Sequence, residues 1–448
     1  MNGKRVLRAV GVIVGVGALA ALPLAPSIHA ALVAPGTDTT AQRLVEWGRD
    51  HGLDDVIDAA ERVFYAWDEA PTGGIPDPAD EKADVAPVAP LPAAPVVPGP
   101  PKHLLPPEPL VSPATPALAD EGVWVPFGPV VDDRYAAWVT SIRPDARHTS
   151  SVDRVVWIDP EAFKFEQHCG DKLEKPWARP NFVPPADQPH LLAAFADGFR
   201  LSGSKGGFFL LGVEKRKLRD TAASLVVDKQ GHIGVGRVPR DYPLETLESA
   251  RQNLDLIVDG GKVDPKLVKD PNEQWGYTGP ANVTAVFRSG AGVRADGSFV
   301  YVAGPALSIV TLGETLVRAG AVRGMQLEIN KEWVSFNTYA ADPKGVVHGT
   351  KLDKSIQHPG DRYLTEDTRD FMAVMMRPAD ANGTTAPVNT PDTLVPIPPP
   401  PVVAPTPGKA TKAAAKPATT PTDTPSAAPA APPAPAAVSP APTPPPKP

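Results

Sequence analysis

Apolar and polar positions between residues 283 and 339 follow two periods in turn. Val283 to Arg294 is apolar and β-branched around a small-residue run, Arg288-Ser289-Gly290-Ala291-Gly292, which predicts a strand. Asp296-Gly297 marks a hairpin turn, because both central positions favour positive φ, and Ser298 to Ala303 returns as its partner strand. Leu312, Leu316 and Ala319 then share a helical face. Thr311 to Glu314 reads as the helix's capping box and Gly320 as its stop. Beyond it Met325, Leu327 and Ile329 alternate with Gln326, Glu328 and Asn330. Alternation predicts a strand that turns Glu328 and Asn330 to one face and the apolar residues to the other.

The rest of the domain patterns the same way. Val155 to Ile158 and Phe163 to Gln167 read as a strand pair joined at Asp159-Pro160. Leu191 to Phe199 and Gly207 to Leu211 read as a second pair. Leu225 to Val227 and Ile233 to Val238 read as a hairpin across Gln230-Gly231. Leu254 to Val258 runs into Asp259-Gly260-Gly261, and Phe371 to Met376 is the last strand. Strands dominate and helices are few. The expected class is α+β, with a mixed, largely antiparallel sheet rather than a doubly wound nucleotide fold. Further upstream, Leu53, Val56, Ile57, Ala60, Val63, Phe64 and Trp67 recur at i, i+3, i+4 spacing. They predict an amphipathic helix whose apolar stripe packs on the domain or on a partner.

Composition divides the 448 residues. The 58 prolines gather in two segments flanking the only span with the aromatic and β-branched content for a large core. This gives a signal segment over 1–30, a helical segment over 31–69, a Pro-rich linker over 70–121, a globular domain over 122–378 and a Pro/Ala/Thr-rich tail over 379–448 that cannot pack a core. Lys4, Arg5 and Arg8 before the apolar run Ala9 to Ala25, with Ile28-His29-Ala30 at the cut, fit a secretory signal; an uncleaved anchor is the alternative. Either predicts secretion or attachment to the cell envelope. The net charge of −7 gives no reason to expect nucleic acid as a partner. The single cysteine, Cys169, excludes an internal disulfide and reads as a small buried hydrophobe.

Several side chains carry candidate chemistry. Asp197 and Arg200 flank Gly198 at a strand end, where a turn projects them into a cleft; an ordinary turn is the alternative. Lys205 beside Gly206-Gly207 offers an ammonium and backbone N–H groups to an anion. Arg288 offers a bidentate guanidinium to a phosphate, or else lies on a solvated strand face. Asp259 stands at the mouth of a strand-end turn. Glu328 and Asn330, followed by Glu332 and Trp333, form the sharpest set, although Glu328 also suits a partnership with Arg323. Histidines do not cluster, and neither metal-ligand spacing nor a nucleophile elbow appears, so neither a metal nor another cofactor is expected.

The order of these motifs resembles a known family. Phe195 to Arg200, Gly206-Gly207-Phe208, Arg219 to Leu225, Arg251 to Gly261, Phe287 to Val293 and Leu327 to Trp333 follow one another as in the phosphodiester glycosidases, the family of the enzyme that uncovers mannose 6-phosphate. The similarity is greatest to an exported actinobacterial branch and spans about 122–377. It implies a hydrolase that releases a sugar from a phosphodiester, here on phosphate-linked glycans of a cell envelope or wall. It departs in two places. The family's asparagine is Ala196, and Glu328-Ile329-Asn330 stands where the family has an aspartate-glycine-rich loop. On this basis Glu328 and Asp259 are expected to be catalytic. Arg288, Asn330, Asp197, Arg200 and Lys205 are expected to bind substrate. The alternative expectation is a non-catalytic glycan-binding or scaffolding protein that keeps the fold.

Overall fold

Strands with alternating apolar positions need one covered face and those with continuous apolar runs need two, and this chain packs three sheets around one core with a helix on the outer face of the first. The computed structural model describes residues 24–81, 104, 107–131, 134–170, 175, 178–269, 275 and 284–377. Most of the expected export signal, residues 82–103 of the Pro-rich linker and the C-terminal tail lie outside the described residues.

The first sheet has eight strands, in the order Val125–Pro126, Ala137–Ile142, Asp153–Ile158, Phe299–Leu307, Val286–Arg294, Ala321–Ile329, Leu256–Asp259 and Lys262–Val263. The second has five: Ile233–Gly236, Ser224–Asp228, Leu247–Gln252, Phe208–Leu210 and Val213–Arg216. The third also has five: Val347–Lys351, Phe336–Ala341, Leu191–Ala196, Phe371–Met376 and Phe163–His168. Every pairing among the described strands of these sheets is antiparallel, so the expected α+β class holds.

All three sheets feed one core. Phe299, Tyr301, Met325 and Leu327 enter it from the first, Leu225 and Val235 from the second, Phe195, Phe336 and Phe165 from the third. The Phe195 ring stacks on Phe336 at 5.8 Å and on Phe299 at 5.5 Å between centroids. Such pairs add about 0.5–1.5 kcal/mol beyond the area they bury. The outer face of the first sheet is covered by the helix Ile309–Arg318, which buries Leu312 and Leu316 against Val300, Val302 and Trp157.

Several local expectations change. The helix begins at Ser308, whose hydroxyl accepts from the Thr311 amide while Thr311 Oγ1 accepts from the Ser308 amide, so the cap lies three residues before the expected one. Gly320, at φ +89°, does end it. The hairpin across Gln230-Gly231 forms. The pair across Asp159-Pro160 does not, because proline cannot take the positive φ of a two-residue hairpin. Asp153–Ile158 stays in the first sheet and Phe163–His168 crosses to the third. Likewise Leu191–Ala196 and Phe208–Leu210 part to different sheets, with the short helix Leu201–Ser204 between them.

Three helices precede the domain, Ala25–Leu32, Thr40–Asp50 and Asp54–Trp67. The last is the expected helix, and of its apolar stripe Val56, Val63 and Phe64 are exposed, so these three are not buried on the domain, the first of the two expected places; a partner was the other. Among the described residues no helix is long and apolar enough to cross a membrane.

Candidate active site

Strand ends from all three sheets bring charged side chains to one place. Glu328 is the penultimate residue of Ala321–Ile329, beside Val286–Arg294 in the first sheet. Its amide donates to Ser289 Oγ at 3.2 Å, which fixes the strand end. The residue is only 2% exposed, and its Oε1 accepts from Arg369 Nη2 at 2.8 Å. Burial raises its pKa, opposed by the charges of Arg369, Arg251 and Arg362.

Arg369 stands two residues before the third-sheet strand Phe371–Met376. Its Nη2 also donates to the Gly198 carbonyl at 3.3 Å, its Nη1 donates to Glu46 Oε1 at 3.2 Å, and the guanidinium lies 4.9 Å from the Trp333 ring centre. Asp197 directly follows Leu191–Ala196, the central strand of the third sheet, and is fully buried. One of its oxygens lies 3.1 Å from Arg251 Nε, and the other accepts from Gln167 Nε2. Burial pushes its carboxyl up to about 7 despite Arg251. Arg251 reaches over from the second-sheet strand Leu247–Gln252; its Nη2 donates to Gly198 O at 3.2 Å and to Asp370 Oδ2 at 3.3 Å. The two ion pairs, Asp197–Arg251 and Glu328–Arg369, thus share the Gly198 carbonyl. Asn253 ties the second sheet to the Glu328 strand, donating to Gln326 O and Leu327 O, each at 2.9 Å.

The helix Thr40–Asp50 lies over this cluster with polar side chains inward. Glu46 bridges Arg369 and Arg200, and Asp50 also pairs with Arg200. Gln42 Nε2 donates to Glu332 O at 2.9 Å, and Asp38 Oδ2 accepts from Thr368 Oγ1 at 2.6 Å. Arg362 and Asp367 form a further buried pair at 2.7 Å.

The sequence-predicted residues therefore separate. Glu328, Asp197 and Arg200 belong to one cluster. Arg288 does not supply its phosphate-facing guanidinium. It is fully buried and donates to Trp275 O at 2.7 Å, Leu307 O at 3.0 Å and Gln326 Oε1 at 3.0 Å, among the apolar groups beneath the outer helix. Asp259 is displaced as well. It pairs with Arg323 at 2.7 Å and Arg240 at 2.9 Å, and Arg323 precedes Glu328 by five positions on one strand. At about 3.3 Å per residue those positions lie roughly 16 Å apart, beyond the ~5–9.5 Å that separates paired glycosidase carboxyls. The suggested Glu328–Arg323 partnership is excluded by the same spacing. Asn330 is a turn residue at φ +63°, its side chain accepting from the Glu332 amide at 3.0 Å. Lys205 is exposed and ends the short helix in the left-handed region.

Arg369, Asp370, Gln167 and Glu46 also belong to this cluster, and the residue patterns did not single them out. The one signal for the first two was a dense charged run, Asp367-Thr368-Arg369-Asp370, set directly against a wholly apolar strand. Among the described residues no group of three or more His, Cys, Asp or Glu side chains is arranged to hold a metal ion. Cys169 is buried with Leu201, Phe208 and Leu210, and burial pushes its thiol up to about 12.

No family model matches the chain, and no curated protein matches it. Solved structures do. The zebrafish N-acetylglucosamine-1-phosphodiester alpha-N-acetylglucosaminidase catalytic domain, auto-inhibited by its pro-peptide, aligns over 60% of this chain and 87% of its own at 10% identity and a TM-score of 0.37. A hypothetical protein of Synechocystis aligns over 56% and 64% at 11% identity and a TM-score of 0.34. Both are remote likenesses of fold.

Proposed function

We propose that this protein is an exported hydrolase that releases a sugar from a glycosyl phosphodiester, acting on phosphate-linked glycans of the cell envelope. The supporting observation is the convergence of Asp197–Arg251 and Glu328–Arg369 on the Gly198 carbonyl. A phosphate ester is a good leaving group and needs little protonation, so a carboxylate beside the anomeric carbon and a cation on the phosphate suffice. Glu328, oriented by Arg369, takes the first role, stabilising charge that develops on the sugar or accepting a proton from the attacking water. Arg369 itself, rather than Arg288, provides cationic charge at the site. Asp197, protonated more readily than an ordinary carboxyl, is suited to hydrogen-bond sugar hydroxyls or to supply a proton. The experiment is sugar release from a glycosyl phosphodiester by the full chain and by Glu328→Gln. Loss of turnover with retained folding supports the reading, and equal turnover removes Glu328 from the mechanism.

A second reading is favoured by one feature of the same cluster: Glu328, Asp197, Arg251 and Arg369 already have partners. Such a closed network also suits a glycan-binding or scaffolding protein that performs no chemistry. Binding of purified wall polysaccharide with no sugar released by any form of the chain would select it.

A further inference from the structure

The helix Thr40–Asp50 is amphipathic in the opposite sense to a packing helix. Its buried side chains include Gln42 and Glu46, one helical turn apart, while Leu44 faces solvent. The next helix likewise leaves Val56 and Phe64 exposed. A helix that turns carboxylates inward reports a cationic surface beneath it. That surface is Arg200 and Arg369. Glu46 Oε1 lies 3.2 Å from Arg369 Nη1, and Glu46 Oε2 lies 3.3 Å from Arg200 Nε. The Asp50 carboxylate takes Nη2 of Arg200. Two guanidiniums thus hold separate oxygens of a single anion, an arrangement that suits a phosphate at least as well as a carboxylate.

We propose that Arg200 and Arg369 form an oxyanion subsite for a phosphate-bearing ligand, and that Glu46 fills this subsite from within the chain until the ligand displaces the helix. The inference rests on reading the Glu328 cluster as a ligand site, since Arg369 bridges the two carboxylates, Glu46 on one side and Glu328 on the other. It places the ligand's phosphate on the solvent side of Arg369 and the phosphate-bound group towards Glu328. The contacts joining helix to domain here are ion pairs and hydrogen bonds, which an incoming anion can replace one for one. Gln42 on the Glu332 carbonyl and Thr37 on His358 Nδ1, at 2.9 Å and 3.0 Å, are the same kind of contact.

The test measures binding of inorganic phosphate, and separately of a hexose 1-(methyl phosphate), to the full chain by calorimetry at fixed ionic strength. Glu46→Gln keeps the side-chain shape and removes the competing charge. Phosphate should bind it on the order of tenfold tighter than the wild type. Asp50→Asn, at the exposed rim of the contact and so little risk to folding, should give a smaller gain in the same direction. Adding Arg200→Gln to Glu46→Gln should abolish the gain. Equal affinity in wild type and both single variants, or a gain that survives Arg200→Gln, overturns the subsite. Tighter hexose 1-(methyl phosphate) than phosphate identifies a glycan-borne ligand, and equal affinities identify a subsite that reads the oxyanion alone. Turnover is scored apart from binding. A phosphate gain with no sugar release keeps the subsite and removes the hydrolase, while sugar release with flat phosphate affinity does the reverse.

Discussion

Arg369 donates to Glu328 across 2.8 Å, and the two residues lie 41 positions apart, Glu328 at a strand end of the first sheet and Arg369 two residues before a strand of the third. The Glu328 side chain is 3% exposed and that of Arg369 8%. At that burial neither charge is tolerable alone, and each supplies what the other lost on leaving water. The pair therefore fixes the end of the first sheet against the start of the last strand, and it also sets the charge available to any ligand.

Arg369→Met leaves the Glu328 carboxylate buried without its strongest partner. We expect a loss of roughly 3–5 kcal/mol, read as a shift of the urea midpoint at neutral pH. Glu328 should then take up a proton more readily, so the deficit should shrink as pH falls. A deficit below about 1 kcal/mol would show that the pair contributes no more than an exposed one.

Asp197 predicts a pH dependence of the opposite sense to ordinary acid denaturation. Its carboxyl is pushed up to about 7 by burial, from an ordinary 3.8. Between those values the folded chain holds a proton that the unfolded chain has released. Its contribution is therefore full below about 4 and is lost as pH rises through about 7. The difference in thermal midpoint between wild type and Asp197→Asn should fall across that interval and level off above it. A difference that grows with pH would place Arg251, rather than burial, in control.

How much of this was readable in advance depended on range. The alternation around Met325 and Leu327 and the turn at Gln230-Gly231 are decided within a few residues, and both formed. Glu328 was recognisable as a polar position in an alternating strand, and Asp197 because it ends an apolar run. Arg369 was not, since a charged run before a strand is ordinary until its partner is known, and that partner comes from another sheet. Arg288 misled for the matching reason. Nothing local indicates that the Trp275 and Leu307 carbonyls close over its guanidinium. Near the N-terminus the pattern marked the helix Asp54–Trp67, while Thr40–Asp50 was not singled out, because the surface it faces is charged and its buried positions include the polar Gln42 and Glu46.

Asp259 provides a control within the same strand pair. Its carboxylate is about a third exposed and bridges Arg240 and the buried Arg323. Asp259→Asn should leave any sugar release unchanged while costing about 1–2 kcal/mol, because the carboxylate that remains to Arg323 among the described residues is Asp241, at 3.8 Å, beside the Val322 carbonyl at 3.3 Å. Lost turnover at unchanged stability would return Asp259 to the chemistry.

Two glycines five residues apart should respond to alanine with opposite signs. Gly198, at φ +146°, occupies a conformation that L side chains rarely adopt, and a Cβ there would stand 2.9 Å from both Arg251 Nη1 and Asn253 Cγ. The carbonyl shared by the two arginines belongs to this residue, so strain here moves both ion pairs. Gly198→Ala should cost about 1–3 kcal/mol. Gly203 lies in the helix Leu201–Ser204 with no atom within 4 Å of an added Cβ. There alanine only restricts the unfolded chain, and Gly203→Ala should gain about 0.4–1 kcal/mol. Paired urea titrations decide between these outcomes. Equal effects at the two positions would mean that the turn after Asp197 relaxes freely, in which case Gly198 does not hold the arginines in register.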